Sequence, residues 1–190
     1  MRSIISSLSI TVLLALPAGS MATSGAHFKV TSTDFKNGGT IPMMQVFNSF
    51  GCTGGNQSPA LQWSGAPAGT KSFAVTIYDP DAPTGSGWWH WSVFNIPATV
   101  TSLPLNAGVA TSTVLPAGAV QGRTDFGVSN YGGPCPPVGD KPHHYQVTVY
   151  ALKIDKLPLD SSASGAMLGY YLHFNTIAKA HMTGRYGRPK

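Results

Sequence analysis

Two acidic residues stand directly after an apolar segment that alternates like a β-strand. Asp79 and Asp81 are separated by Pro80 and followed by Ala82-Pro83. Because proline biases the residue before it towards extended backbone, the two carboxylates are held stiffly and could face different ways. The same residues are common in ordinary turns. The segment therefore offers either a rigid pair of carboxylates or a plain turn.

A histidine surrounded by three tryptophans is the next group that could do chemistry. His90 lies in the sequence Trp-Trp-His-Trp over residues 88–91. Desolvation by the indole rings would lower the pKa of His90 unless a carboxylate offset it, and Asp79 and Asp81 are the nearest candidates along the chain. An aromatic core cluster that contains a hydrogen-bonded histidine is the alternative interpretation.

A glycine- and proline-rich loop precedes two further histidines and a tyrosine. Residues 131–137 read Tyr-Gly-Gly-Pro-Cys-Pro-Pro, and backbone N–H groups of such a loop can point into a cavity and bind an anion. His143 and Tyr145 are two residues apart at the start of a predicted strand, so they face the same side, whereas His144 faces the other. An imidazole and a phenol on one face could both donate hydrogen bonds to phosphate oxygens.

The elements that position these residues are mostly strands. Apolar alternation predicts strands over 27–31, 72–78, 88–96 and 145–152. Segments 36–60 and 98–122 are rich in small and turn-forming residues and predict long loops. Apolar spacings of three and four from Met167 to His181 predict one late helix, capped by Ser161 or Ser162 and ended at Gly184. The chain therefore reads as a single β-rich domain without repeats.

Composition and charge limit the classes of partner. The 190 residues suit one domain, and the net charge of +5 favours anionic ligands. The cations are scattered, with a thin concentration at Arg185, Arg188 and Lys190. Because a nucleic-acid surface needs a stripe of cations, we expect no nucleic-acid partner.

The first 22 residues have the pattern of a cleaved signal peptide. Arg2 precedes an apolar run, and Ser20-Met21-Ala22 offers small residues for cleavage after Ala22. A membrane anchor is the alternative, but the run is too short to span a bilayer comfortably. We therefore expect an exported domain over residues 23–190, periplasmic or secreted, with no transmembrane segment.

Two cysteines remain in that domain, Cys52 and Cys135. In an oxidising compartment they predict one disulfide, and two free thiols are the alternative. The absence of a Cys-x-x-Cys pair gives no support to a zinc knuckle or a thioredoxin-like centre. We expect neither a cofactor nor a resident metal.

Taken together and in this order, the three motifs resemble the phosphatidylethanolamine-binding protein family. The segment before His90, Thr-Gly-Ser-Gly-Trp-Trp, is similar to the bacterial YbhB/YbcL branch, also called Raf kinase inhibitor-like. The likeness runs from about residue 27 to about residue 183 and includes Ser-Pro-Ala-Leu-Gln-Trp over 58–63. It implies a mostly β fold, a Greek-key β-sandwich with a C-terminal helix near a small pocket.

The resemblance also implies a ligand and the residues that bind it. The ligand would be a small anion such as phosphate, acetate or a phosphoethanolamine-like phospholipid head group. The implied ligand-binding residues are Asp79, Asp81, Trp88, His90, Cys135, Pro136, His143 and Tyr145. Cys135 departs from the glycine of eukaryotic relatives, and pairing with Cys52 would pin the loop and change access to the pocket.

Three functions compete at this stage. The first is an exported anion-binding module that could modulate a partner protein, with a homodimer as a further option because exposed Trp and Tyr would be sticky. The second is a hydrolase-like acid–base enzyme that uses His90, His143 and Asp79, for which no nucleophile stands out. The third is a metal site built from the same groups, which lacks a closely spaced ligand pair on one element. We expect binding without catalysis.

Overall fold

The computed structural model describes residues 27–190. The predicted signal peptide, residues 1–22, lies outside the described residues. In chain order the strands are β1 (Lys29–Ser32), β2 (Leu61–Ser64), β3 (Ser72–Asp79), β4 (Trp88–Pro97), β5 (Ser102–Leu103), β6 (Val120–Gln121), β7 (His143–Leu152) and β8 (Thr176–Tyr186). One helix, α1 (Gly165–Asn175), lies between β7 and β8.

The strands form two antiparallel sheets. The smaller has the order β1-β2-β5 and the larger the order β6-β4-β3-β7-β8. In the larger sheet β3, β4 and β6 follow one another, and a long connection then returns β7 to the free side of β3, which is a Greek-key arrangement. The predicted β-sandwich with one helix in its C-terminal part is confirmed.

Apolar residues cover both faces of the larger sheet. On one face, Phe73 packs against Trp63 of the smaller sheet with ring centroids 5.5 Å apart. On the other face, Leu168 and Leu172 of α1 pack in a cluster that includes Phe94. Because β3 and β4 are covered on both sides, their burial is nearly continuous rather than alternating. This double burial holds the strand ends that carry the candidate site.

The predicted helix is only partly correct. It begins at Gly165 with Ser164 as its N-cap, whose hydroxyl accepts a hydrogen bond from the Met167 N–H at 3.2 Å. Ser161 and Ser162 therefore do not cap it. The helix ends at Asn175, well before His181.

The strand β8 occupies the second half of the segment that was predicted as helix. It pairs with β7 along its length, from Thr176 opposite Leu152 to Tyr186 opposite His143. Ala180 and Met182, two residues apart, both reach the core. Apolar residues continue at spacings of three and four past Asn175 by coincidence. Long-range pairing with β7 makes this part of the chain a strand. Gly184 lies within this strand and does not end a helix.

The other predicted strands are confirmed with small shifts of their ends. The two predicted loops are largely irregular, although 98–122 also carries the two-residue strands β5 and β6. The short strand β2 was not predicted, since four residues give little periodic signal. Within residues 27–190, no helix combines the length and the apolar character needed to cross a membrane.

A disulfide joins Cys52 and Cys135, with an S–S distance of 2.09 Å. It links positions 83 residues apart and ties two long loops together. The sequence-based disulfide prediction is confirmed, and the alternative of free thiols is wrong.

Removing the disulfide should lower the stability of the fold. In the chain-entropy model, a cross-link that closes a loop of this length contributes about 4 kcal/mol to the free energy of unfolding. We expect the double variant Cys52→Ser/Cys135→Ser to lose a large part of that value in urea unfolding. A reductant should lower the midpoint of the natural protein and leave that of the double variant unchanged. Equal midpoints of the oxidised protein and the variant would contradict the expectation.

Candidate functional site

The candidate site lies at one edge of the larger sheet, where three strands meet. Asp79 is the last residue of β3, Trp88 the first of β4 and His143 the first of β7. Because β3 is antiparallel to both neighbours, its end lies beside their beginnings. The motifs at 79–83, 88–91 and 143–145 are thereby brought together. Asp79 and its contact His143, for example, are 64 positions apart in the sequence.

A β-bulge turns His90 towards this edge. Ile77 pairs with Trp91 and Tyr78 pairs with Trp89, so His90 is the extra residue between two paired positions. A bulge bends a strand and re-aims a side chain. Trp91 is fully buried in the core between the sheets, while its neighbour His90 lines the pocket.

The pocket is small, about 180 Å³ in volume, and mostly apolar in its walls. It is lined by Phe50, Asp79, Ala82, Pro83, Thr84, Trp88, His90, Phe126, Cys135, Pro136, Pro137, His143 and Tyr145. All of the predicted ligand-binding residues except Asp81 are among them. Their role in ligand binding stays a prediction, but the sequence placed them in one cavity.

Asp79 holds the imidazole of His143 in one orientation. Their side chains are almost fully buried, and the His143 Nδ1–H donates to Asp79 Oδ2 at 2.8 Å. The other carboxylate oxygen, Oδ1, accepts the Asp81 N–H at 2.9 Å. The opposite ring nitrogen of His143, Nε2, lies 3.5 Å from an Asp140 carboxylate oxygen. The proton on Nδ1 is therefore committed to Asp79, and Nε2 is the nitrogen left for a ligand.

Asp81 does not line the pocket, which corrects its place in the predicted ligand-binding set. Its carboxylate accepts hydrogen bonds from the His144 backbone N–H at 2.8 Å and from the His144 ring at 2.7 Å. Asp81 and His144 are both substantially exposed. Asp81 therefore acts on the site indirectly, through its backbone N–H to Asp79 and through its carboxylate, which binds the backbone beside His143.

The buried ring of His90 is held by a backbone carbonyl rather than by a carboxylate. Its Nδ1–H donates to the Gly132 oxygen at 2.7 Å, so the expected direct bond to Asp79 or Asp81 is absent. Burial lowers the pKa of His90 below its ordinary value of 6.5, partly opposed by the Gly132 bond and the charge of Asp79. His90 is therefore neutral near pH 7.

The glycine loop differs from expectation in what its backbone does. The Gly132 N–H donates to the His90 carbonyl, and the Gly133 N–H donates to the side chain of Asn56. These N–H groups are engaged within the protein and do not point into the cavity. Within residues 27–190, the N–H of Cys135 has no acceptor, so the anion-binding capacity of the loop reduces to that group.

Tyr145 carries a buried hydroxyl without a hydrogen-bond partner in the described part of the chain. Its ring lies between the two imidazoles, with centroids 5.1 Å from His90 and 6.5 Å from His143. Burial and the nearby charge of Asp79 raise the pKa of Tyr145, so the phenol keeps its proton. The hydroxyl can therefore act as a hydrogen-bond donor to a ligand. An unpaired buried hydroxyl is costly to the fold.

The apolar walls include residues that the sequence motifs did not indicate. Phe50 and Phe126 line the pocket, and Phe126 contacts Trp88 with ring centroids 5.3 Å apart. Phe50 lies in a segment that carried no periodic signal. The only available clue was the predicted disulfide, because Cys52 brings Phe50 close to Cys135.

Groups of three or more His, Cys, Asp or Glu side chains placed to hold a metal ion do not occur among residues 27–190. The imidazole and carboxylate groups of the pocket are instead committed to one another and to the backbone.

The fold and the site together define a β-sandwich protein with a small, largely apolar pocket at the strand ends of its larger sheet. A family model described as phosphatidylethanolamine-binding protein matches residues 31–187. The chain therefore belongs to the phosphatidylethanolamine-binding protein family, as its sequence motifs predicted.

Relatives of this chain include two Escherichia coli proteins. YbcL is 63% identical over 161 residues, which covers 85% of this chain and 88% of YbcL. YbhB is 49% identical over 158 residues, which covers 83% of this chain and 99% of YbhB. The crystal structure of YbcL superposes with a TM-score of 0.84, at 62% identity over 85% of this chain and 99% of that one. A family homologue from Chlamydia trachomatis gives a TM-score of 0.70 at 30% identity, over 85% of this chain and 97% of its own.

Two buried tyrosines should respond differently to loss of their hydroxyls. The Tyr131 hydroxyl donates to the Gln45 carbonyl at 2.8 Å, whereas that of Tyr145 has no partner among residues 27–190. We expect Tyr131→Phe to lower the free energy of unfolding by about 1 kcal/mol and Tyr145→Phe to leave it unchanged or raise it. Urea unfolding without ligand measures both. Equal destabilisation by the two substitutions would show that the Tyr145 hydroxyl is bonded in solution.

His90 should make stability depend on pH. Because burial lowers its pKa in the folded state, the unfolded chain binds more protons as the pH falls below about 6.5, and stability is lost there. We expect the free energy of unfolding to fall between about pH 8 and about pH 5.5, and His90→Gln to reduce that fall. Glutamine keeps a donor for the Gly132 carbonyl. A pH dependence of equal size in the two proteins would count against the assignment.

Proposed function

We propose that this protein binds a small anion, a phosphate group or a carboxylate, in the pocket formed by Asp79, His90, His143 and Tyr145. The unpartnered buried hydroxyl of Tyr145 is the observation that carries the proposal. It lies beside two imidazoles whose Nδ1 atoms are already fixed, by Asp79 and by the Gly132 carbonyl. A buried donor that the described part of the protein leaves unpaired, in a residue that lines a small cavity, is what an anion would satisfy.

Asp79 places a carboxylate in the cavity that would receive the anion. A bare carboxylate beside an anion is repulsive, and Lys and Arg are absent from the pocket lining within the described chain. Asp79 fixes the His143 ring through Nδ1, so Nε2 is the nitrogen that an anion would meet. Neutral His90 offers an unbonded nitrogen that could accept a proton from a singly ionised phosphate.

The apolar walls strengthen these few polar contacts. Trp88, Phe126 and Pro136 restrict water around the donors, and a hydrogen bond to a charged group is worth more in such surroundings than in water. A volume of about 180 Å³ suits a phosphate-sized or acetate-sized group and part of its substituent.

Binding is favoured over an acid–base enzyme because the aliphatic hydroxyl and the cysteine sulfur that line the pocket are both engaged. Cys135 is disulfide-bonded and carries no thiol. The Thr84 hydroxyl donates to the Gly87 carbonyl at 2.6 Å. The Asp79–His143 pair could orient a general base, yet the pocket presents no activated nucleophile to use it.

Export to an oxidising compartment is part of this proposal. The disulfide supports it, since such bonds persist outside the reducing cytosol. Phe50 lines the pocket and is 67% exposed, so a partner protein that contacted this ring would lie at the edge of the pocket. A second copy of the chain could use the same exposed ring.

A thermal melt of the purified protein with phosphate, acetate or phosphoethanolamine tests the proposal. We expect the melting temperature to rise with phosphate concentration, since a ligand that binds only the folded state stabilises it. His143→Ala and Tyr145→Phe should each abolish most of the rise, while His173→Ala, an exposed histidine of α1, should leave it unchanged. Zinc in place of phosphate should give no comparable rise. Absence of a shift with all three anions would reject the anion pocket.

A further inference from the structure

Phe50 occupies a backbone conformation that phenylalanine rarely adopts. Four non-glycine residues among 27–190 have positive φ, and three of them are asparagines, which tolerate it. The fourth is Phe50, at φ 55°, followed by Gly51 at 78°. The Cys52 N–H donates to the Ser49 carbonyl at 2.9 Å, so residues 49–52 form a tight turn with both central residues left-handed. Such turns normally place asparagine where this chain has Phe50.

The side chain of Phe50 lies at the mouth of the pocket. Phe50 is exposed yet lines the cavity, and it contacts Phe47 and Phe126 with centroids 5.4 and 5.9 Å apart. Phe126 in turn contacts His90 at 5.5 Å. Phe47, Phe50 and Phe126 thus form an aromatic lip that runs from solvent to the polar floor of the pocket. The polar floor is the group formed by Asp79, His90, His143 and Tyr145. A bulky residue kept in a strained conformation beside a binding site points to a role in binding.

Two links hold the Phe50 turn against the opposite wall. The first is the disulfide between Cys52, beside the turn, and Cys135, in the wall. The second is Arg188, which donates from Nε to the Pro136 carbonyl at 2.6 Å and from a terminal nitrogen to the Gly51 carbonyl at 3.1 Å. One guanidinium therefore spans the same two loops as the disulfide. Arg188 itself does not line the pocket, so it acts by positioning.

We propose that Phe50 is a specificity-determining residue that selects phosphate monoesters bearing a flat apolar group over inorganic phosphate, and that Arg188 positions it. This inference rests on the proposed function. A phosphate seated against His143 and Tyr145 leaves its ester substituent along the aromatic lip, where a flat ring stacks and sheds water. Among residues 27–190 the cavity lining includes no Lys or Arg to compensate a dianion, so contacts with the substituent should contribute to the affinity.

The test measures the dissociation constants of inorganic phosphate, ethyl phosphate and phenyl phosphate by calorimetry. In the natural protein, phenyl phosphate should bind roughly threefold to tenfold more tightly than inorganic phosphate, the factor that aromatic stacking supplies. Ethyl phosphate should lie between them. Phe50→Asn should bring the three constants close together and leave that of inorganic phosphate within about a factor of two. Arg188→Gln should reduce the preference in the same direction.

Two controls and the melting temperature separate selectivity from folding. Asparagine suits the left-handed turn position, so Phe50→Asn should melt at the same or a higher temperature than the natural protein. Phe174→Asn, which changes another exposed ring on α1, and Arg185→Gln, which changes an exposed arginine of β8, should leave the preference unchanged.

A phenyl phosphate preference that survives Phe50→Asn would overturn the inference while the anion pocket stood. Parallel loss of affinity for all three probes would also overturn it, since Phe50 would then support the floor rather than select the substituent. If the natural protein bound none of the probes, the proposed function itself would fail and the inference with it.

Discussion

The hydrogen bond between Asp79 and His143 is the contact on which the pocket depends. A carboxylate almost completely withdrawn from water needs a donor for each oxygen, and His143 and the Asp81 N–H supply them. The bond exists only because β7 returns to the free side of β3 by the Greek-key connection. Removal of either partner would leave the other buried and unpaired. The free-energy cost of that unpaired group would exceed the stabilisation that the pair provides. The topology of the larger sheet and the hydrogen bonding of the site therefore depend on each other.

Around this pair the protein tolerates features that cost stability. Tyr145 keeps a buried hydroxyl unpaired, His90 is desolvated, and Phe50 holds a left-handed backbone. Each would be relieved by an ordinary substitution, and all of them lie in one cavity. The larger sheet, buried on both faces, supplies the stability that lets these costs persist.

The local sequence pattern predicted the residues of the polar floor of the pocket but not those of the aromatic lip. Asp79, His143 and Tyr145 lie at strand ends, where alternation and proline geometry decide orientation, so neighbouring residues carried the information. His90 needed a bulge to face the pocket, and its Gly132 partner lies 42 residues away. The helix was extended into β8 because a spacing of three and four cannot reveal pairing with β7. Phe50 reaches the pocket through loop geometry and a disulfide, which no local pattern records.

The pocket therefore has two parts of different origin. Its floor comes from the ends of β3, β4 and β7, which are fixed by ladder hydrogen bonds and by packing on both faces of the sheet. Its lip comes from two loops that touch because Cys52 is bonded to Cys135 and because Arg188 spans both. A change in the loops can alter the lip of the pocket without disturbing the side chains of its floor. The two parts are thus physically separable in this fold, because strands position the floor and cross-linked loops position the lip.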